Sequence, residues 1–198
     1  MTTQRRTQQE RRDQASAALL EAAAELVVEE GVRAVTLARV GERAGYSRGL
    51  VTHHFGGKQA LLEQLARTTQ TAFVPGLDTL PPGLDRLLRL IDGYLSRLSD
   101  SDVLSRAFLV LWAESMTSRE LAPIFRERDN AFRDDLRQEL IAGITEGTIR
   151  ADVDPEQIAV AIVGQLRGIA LQCLLDPAAV KPSELCCCAA EVWKRALS

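Results

Sequence analysis

The sequence predicts an all-α protein of nine helices, and three features carry that prediction. Apolar residues recur at helical spacing along most of the chain, capping residues stand where helices would begin, and no segment alternates apolar and polar residues as a half-buried strand does. With 198 residues, 46% of them hydrophobic, the chain is long enough for two subdomains, each with its own core.

The elements follow in order. Leu19, Ala22, Ala23, Leu26 and Val27 fall at i, i+3, i+4, i+7 and i+8, which predicts a first helix over residues 13–30 that stops at Gly31. Thr36 caps a second helix whose Leu37, Val40 and Ala44 share a face, and Gly45 ends it. Ser47 caps a third, Arg48 to His54, with Val51 and Phe55 inward and Arg48, Gly49, Thr52 and His53 outward. A fourth runs from Lys58 through Leu61, Leu62, Leu65 and Phe73 to Pro75. The Pro/Gly-rich stretch 75–83 is a linker. Helices are then predicted over 84–98, 102–115 and 118–146, and an eighth begins at Asp154-Pro155-Glu156 and ends before Asp176-Pro177. The ninth spans 182–196.

Charge and cysteine content bound the function. Residues 1–70 hold ten Lys/Arg against eight Asp/Glu, while residues 71–198 hold 14 against 19, for a net charge of −3. That balance argues against a nonspecific nucleic-acid binder. Arg5, Arg6, Arg11 and Arg12 nevertheless cluster at the N-terminus, in a basic arm (1–12) that is either a solvated tail or a strap along phosphate. Cys173, Cys186, Cys187 and Cys188 show neither a disulfide framework nor zinc-ligand spacing. With no apolar leader and no run of 18 uninterrupted apolar residues, the expected location is the cytoplasm, with no membrane partner. Only two histidines occur, adjacent and so pointing about 100° apart on a helix, and no phosphate loop or nucleophile elbow is present. The expectation is no enzyme, no cofactor and no metal.

Two short capped helices joined by a tight glycine turn form a helix-turn-helix, whose second helix enters the major groove of DNA. The run GYSRGLVTHHFGGKQALL (45–62) resembles the signature of the tetracycline-repressor (TetR) family of bacterial transcription regulators, and the resemblance extends over residues 14–66. It implies a nine-helix architecture with an N-terminal DNA-binding domain (1–60) and a C-terminal ligand-binding and dimerisation domain (61–198). DNA contacts are then expected from Thr36, Arg48, Gly49, Leu50, Thr52, His53, His54 and Lys58. The family carries Tyr where this chain has the shorter Thr52.

The partners implied are double-stranded operator DNA, a small-molecule inducer and a second copy of the chain. Gly164 and Gly168 form a small-residue stripe, compatible with packing inside the chain or with close approach of another helix. The resemblance implies a dimeric bundle of the last two helices, with Gly164, Gly168, Leu171, Leu175 and Trp193 as contacts. Tyr94, Phe108, Leu111, Trp112, Met116, Ile124, Phe125 and Phe132 are either core or the wall of a ligand pocket, with Arg97, Glu114, Arg128 and Gln165 as polar anchors. The C-terminal half resembles the choline-responsive branch of the family, although no aromatic cage can be assigned from sequence. The function expected is a ligand-responsive regulator, most simply a repressor released by an inducer; the alternatives are a cysteine-based redox sensor and a small helical enzyme.

Overall fold

A computed structural model describes residues 8–68, 74, 76–99 and 102–198, apart from the side chains of residues 99, 182, 183, 186 and 187. Among the described residues the fold is all-α: α1 (Gln8–Glu30), α2 (Leu37–Ala44), α3 (Arg48–Phe55), α4 (Lys58–Thr68), α5 (Leu84–Ser99), α6 (Val103–Glu114), α7 (Leu121–Thr145), α8 (Pro155–Leu175) and α9 (Pro182–Leu197). Two single-turn 3-10 helices, Val32–Ala34 and Leu77–Thr79, were not anticipated from the sequence, being too short to show a period.

The chain divides into two compact units, and the division does not run linearly along it. Residues 103–125, which hold α6 and the start of α7, cluster with residues 1–70; residues 71–102 and 126–198 form the second unit. In the first unit α1 is the hub, packing against α2, α4 and α6. Four alanines, Ala15, Ala22, Ala23 and Ala24, share its buried face with Leu19, Leu20, Leu26 and Val27, and such small side chains favour close approach of neighbouring helices. In the second unit α5 packs most extensively against α9, and also against α8. Leu87, Ile91, Leu95, Leu136, Leu140, Ile162 and Leu166 are fully buried there.

Several boundaries move for local reasons. α1 is already helical at Gln8, five residues before the apolar pattern begins, because QQERR consists of good helix formers and Gln9 donates to Asp13 one turn on (2.8 Å). Arg11 and Arg12 are therefore helical rather than part of an extended arm; Arg5 and Arg6 lie outside the described residues, as do Phe73 and Pro75 at the expected end of α4. α7 begins at Leu121 because the Ser118 hydroxyl accepts from the Leu121 N–H (3.2 Å), with Pro123 in the first turn. α8 begins where expected: the Asp154 carboxylate accepts from the Glu156 and Gln157 N–H groups at 2.9 and 3.4 Å.

α8 is long and apolar enough to cross a membrane by length and composition alone. One face of it, Ala159, Ile162, Val163, Leu166 and Ala170, is buried in the second unit, and Arg167 near its middle is buried in an ion pair. The Asp154 cap yields a direct test. Replacing it with Ala should cost about 1 kcal/mol of stability, read as a lower midpoint in urea with an unchanged slope.

Candidate functional site

The helix-turn-helix is built from backbone geometry more than from side chains. Gly45 takes the left-handed conformation (φ 74°, ψ 25°) that ends α2, and the Tyr46 N–H returns to the Gly41 carbonyl at 2.7 Å. Ser47 then caps α3, its hydroxyl accepting from the Leu50 N–H at 3.2 Å. The turn brings the backbone of Tyr46 and Ser47 against the middle of α2, where only glycine fits. A Cβ on Gly41 would stand 2.7 Å from the Tyr46 carbonyl oxygen and 3.2 Å from a Val51 methyl. Gly41 was missed in the sequence reading; an isolated glycine inside a helical pattern was the available signal.

α2 is clamped to α1 by charge. Arg39 pairs with Glu30 and also donates to the Ala34 carbonyl (3.3 Å); Arg43 bridges Glu25 and Glu29 at 3.4 and 2.7 Å. The hydrogen bond from Arg39 holds the Glu30 carboxyl below its usual range. All three pairs are open to solvent, so each stabilises the packing only modestly.

The expected DNA-contacting residues separate into three groups. Arg48, Gly49, Thr52 and His53 are exposed on the outward face of α3, with Leu50 half-exposed beside them, while Val51 and Phe55 are buried underneath. The Thr52 hydroxyl donates back to the Arg48 carbonyl (3.0 Å), which holds this short side chain against its own helix. Thr36 is exposed but already employed, accepting from the Arg39 N–H at 3.3 Å to cap α2. Lys58 donates to the Arg33 carbonyl at 3.3 Å, which ties the start of α4 to the preceding 3-10 turn. An ammonium has three protons, so this bond leaves others for phosphate. His54 is half-buried, in ring contact with His53 and Phe55. Burial, and after it the charges of Arg12 and His53, lower its pKa, so the neutral imidazole is favoured.

The residues considered for a ligand site are distributed over both units. In the first, Phe108 and Phe125 meet at a ring-centroid distance of 5.5 Å and Leu111 and Ile124 are buried, whereas Met116 is 68% exposed and Trp112 half-buried. In the second, Tyr94, Arg97, Arg128 and Gln165 are half-buried. Gln165 accepts from the Trp193 indole N–H at 2.6 Å, so a residue considered for ligand and one considered for the dimer hold each other within one chain. A further pair escaped the sequence reading: buried Arg167 bonds Asp129 at 3.0 Å and the Tyr94 hydroxyl at 2.7 Å. These residues are far apart in the chain, and only the packing of three helices brings them together.

The outer face of α8 carries Val160 (56% exposed), Gly164, Gly168, Leu171 and Leu175 (87% exposed). A Cβ at either glycine would meet nothing within 4 Å. Neither glycine is therefore required by a close neighbour within the chain. Of the cysteines, Cys188 is exposed and burial raises the pKa of the Cys173 thiol, the direction that lowers its reactivity. The side chains of Cys186 and Cys187 lie outside the described residues.

Comparison with known proteins agrees with this geometry. Residues 19–65 match the family described as bacterial regulatory proteins, tetR family, and residues 83–191 match the BetI-type transcriptional repressor C-terminal family. The HTH-type transcriptional regulator BetI of Escherichia coli is 36% identical over 104 residues, so that the match spans about half of each protein (50% of this chain, 53% of that one). The BetI of Vibrio parahaemolyticus is 25% identical over 169 residues, 82% of each chain. A transcriptional regulator from Saccharomonospora viridis, solved in complex with choline, shares the fold at a TM-score of 0.77 and 21% identity, covering 90% of this chain and 95% of its own.

The close approach at Gly41 can be tested alone. Gly41→Ala should destabilise the first unit by about 1–3 kcal/mol through overpacking, lowering the thermal midpoint. Gly49→Ala, whose Cβ would meet only the Ser47 hydroxyl at 3.8 Å, should leave that midpoint nearly unmoved.

Proposed function

The chain belongs to the TetR family of bacterial transcription regulators, and from that premise we propose that it is a cytoplasmic repressor whose hold on operator DNA is released by a small molecule. The observation that carries this reading is the outward face of α3. Arg48, Gly49, Thr52 and His53 project from a short helix fixed at its start by the Ser47 cap and at its end by Gly56 (φ 77°), whose N–H returns to the Thr52 carbonyl at 2.7 Å. A helix so held can enter the major groove without rearranging. Arg48 pairs with the acceptors of a guanine edge, Gly49 admits the DNA backbone, and Leu50 and His53 contact neighbouring base edges. Thr36, Thr52, His54 and Lys58 face phosphate, where contacts set position rather than sequence.

In this proposal residues 1–60 read DNA and residues 61–198 bind ligand and dimerise. A symmetric dimer presents two copies of α3 to two half-sites. The exposed stripe of α8, together with exposed Val192 on α9, supports placing the two-fold contact on these helices. A ligand acts by binding better to the form whose readers do not match the half-site spacing. Choline, bound by the Saccharomonospora viridis relative, is the first compound to assay.

Arg48→Ala should weaken binding to the cognate site, measured by mobility shift on DNA flanking the gene, by about 1–3 kcal/mol while leaving random-sequence binding nearly unchanged. An equal loss on all sequences would assign Arg48 to phosphate instead, and failure of the unaltered protein to bind the flanking DNA would overturn the regulator reading.

Gly168→Glu places a carboxylate where the protomer has open space, so the fold should be retained while close helix approach across a dimer is blocked. Sedimentation should show monomers, with operator affinity reduced accordingly. A dimer of undiminished mass would move the interface off α8.

A further inference from the structure

The basic residues around α2 divide by whether a carboxylate answers them. Arg39 is paired with Glu30, and Arg43 with Glu25 and Glu29. Arg33 differs. It is exposed on the 3-10 turn Val32–Ala34, and among the described residues its guanidinium has no hydrogen-bond or ion-pair partner. Lys58 lies against the same turn, its ammonium donating to the Arg33 carbonyl at 3.3 Å. Among the described residues no carboxylate pairs with Lys58 either.

The turn that carries Arg33 is held from several sides. Its Ala34 carbonyl accepts from Arg39 at 3.3 Å, and the Ala34 and Val35 N–H groups return to the Gly31 and Val32 carbonyls at 3.1 and 3.3 Å. Val35, directly after it, is fully buried. Arg33 therefore projects from the residue whose carbonyl Lys58 touches, so two cations share one fixed stretch of surface. Like charges so placed repel until an anion meets them. Position decides which anion. Thr36, the next residue after Val35, caps α2. In a helix-turn-helix the first helix crosses the DNA backbone while the second enters the groove. A side chain just ahead of α2 is thus offered phosphates rather than base edges, and the planar fork of a guanidinium matches two phosphate oxygens.

We propose that Arg33 is a further DNA-binding residue, a backbone-phosphate contact that works beside Lys58 from the turn ahead of α2. The inference rests on the regulator reading above and adds to it a contact from outside the two helices of the reader.

The test uses the full chain and two duplexes of equal length, DNA flanking the gene and a random sequence, with affinities measured over a tenfold range of salt. Arg33→Gln should weaken binding to both duplexes by the same factor. It should also flatten the slope of log affinity against log salt by about 0.9 for each protomer engaged. The gap between variant and unaltered protein then narrows by about eightfold per protomer across that range. Arg33→Lys should keep most of the slope, because a point charge still neutralises a phosphate. The thermal midpoint should be nearly the same in all three proteins, since the side chain is exposed and unpartnered among the described residues. An unchanged slope in Arg33→Gln would overturn the proposal and leave the regulator reading intact. So would a loss confined to the flanking DNA, which would make Arg33 a base reader, or a loss that follows a lowered midpoint, which would make it structural. Failure of the unaltered protein to bind the flanking DNA would overturn the regulator reading, and this contact with it.

Discussion

The orientation of the recognition helix depends on one contact that has no side chain on one side. Gly41 lets the backbone of Tyr46 and Ser47 lie against α2, and the Tyr46 N–H to Gly41 carbonyl bond closes the turn. The Ser47 cap, the burial of Val51 and Phe55, and the outward aim of Arg48 all follow from that approach. A methyl group there would displace backbone rather than a flexible side chain, and backbone does not yield cheaply. The ion pairs from α2 to α1 then hold the assembled reader against its hub helix, each contributing modestly because water reaches it.

The second unit solves a different problem. Arg167 is placed in the middle of an apolar helix, where an uncompensated charge would cost several kcal/mol. Asp129 and Tyr94 answer it from two other helices, so the three helices are specified relative to one another by a polar arrangement that hydrophobic packing alone would leave loose.

What the sequence made legible was mostly local. Thr36, Ser47 and Asp154 announce helix starts by side-chain chemistry acting within three residues, and Gly45 announces a stop by its conformational freedom. Apolar spacing, capping residues and Pro/Gly breaks together located the nine described helices, and the outward and inward faces of α3 were read correctly from the i, i+4 relation of Val51 and Phe55. The start of α1 was placed late because helix propensity, rather than an apolar stripe, sustains its first turns. Gly41 and the Arg167–Asp129–Tyr94 group were not legible, since each acquires its role only from a segment brought to it by folding. For the same reason the aromatic residues between 94 and 132 could be named but not sorted into core and site; the structure distributes them between two units.

The pairing of Arg39 and Arg43 also bears on how such a reader would search a chromosome. Their charges are spent on Glu25, Glu29 and Glu30 of the same unit, so they are poorly placed to displace cations condensed along a duplex. Weak, sequence-blind attraction to DNA grows with the number of phosphates neutralised, whereas discrimination depends on the base-edge contacts of a few groups such as Arg48. A protein that keeps part of its basic surface internally compensated lingers less on the great excess of irrelevant sites, and the fraction of molecules left to find and vacate an operator rises accordingly.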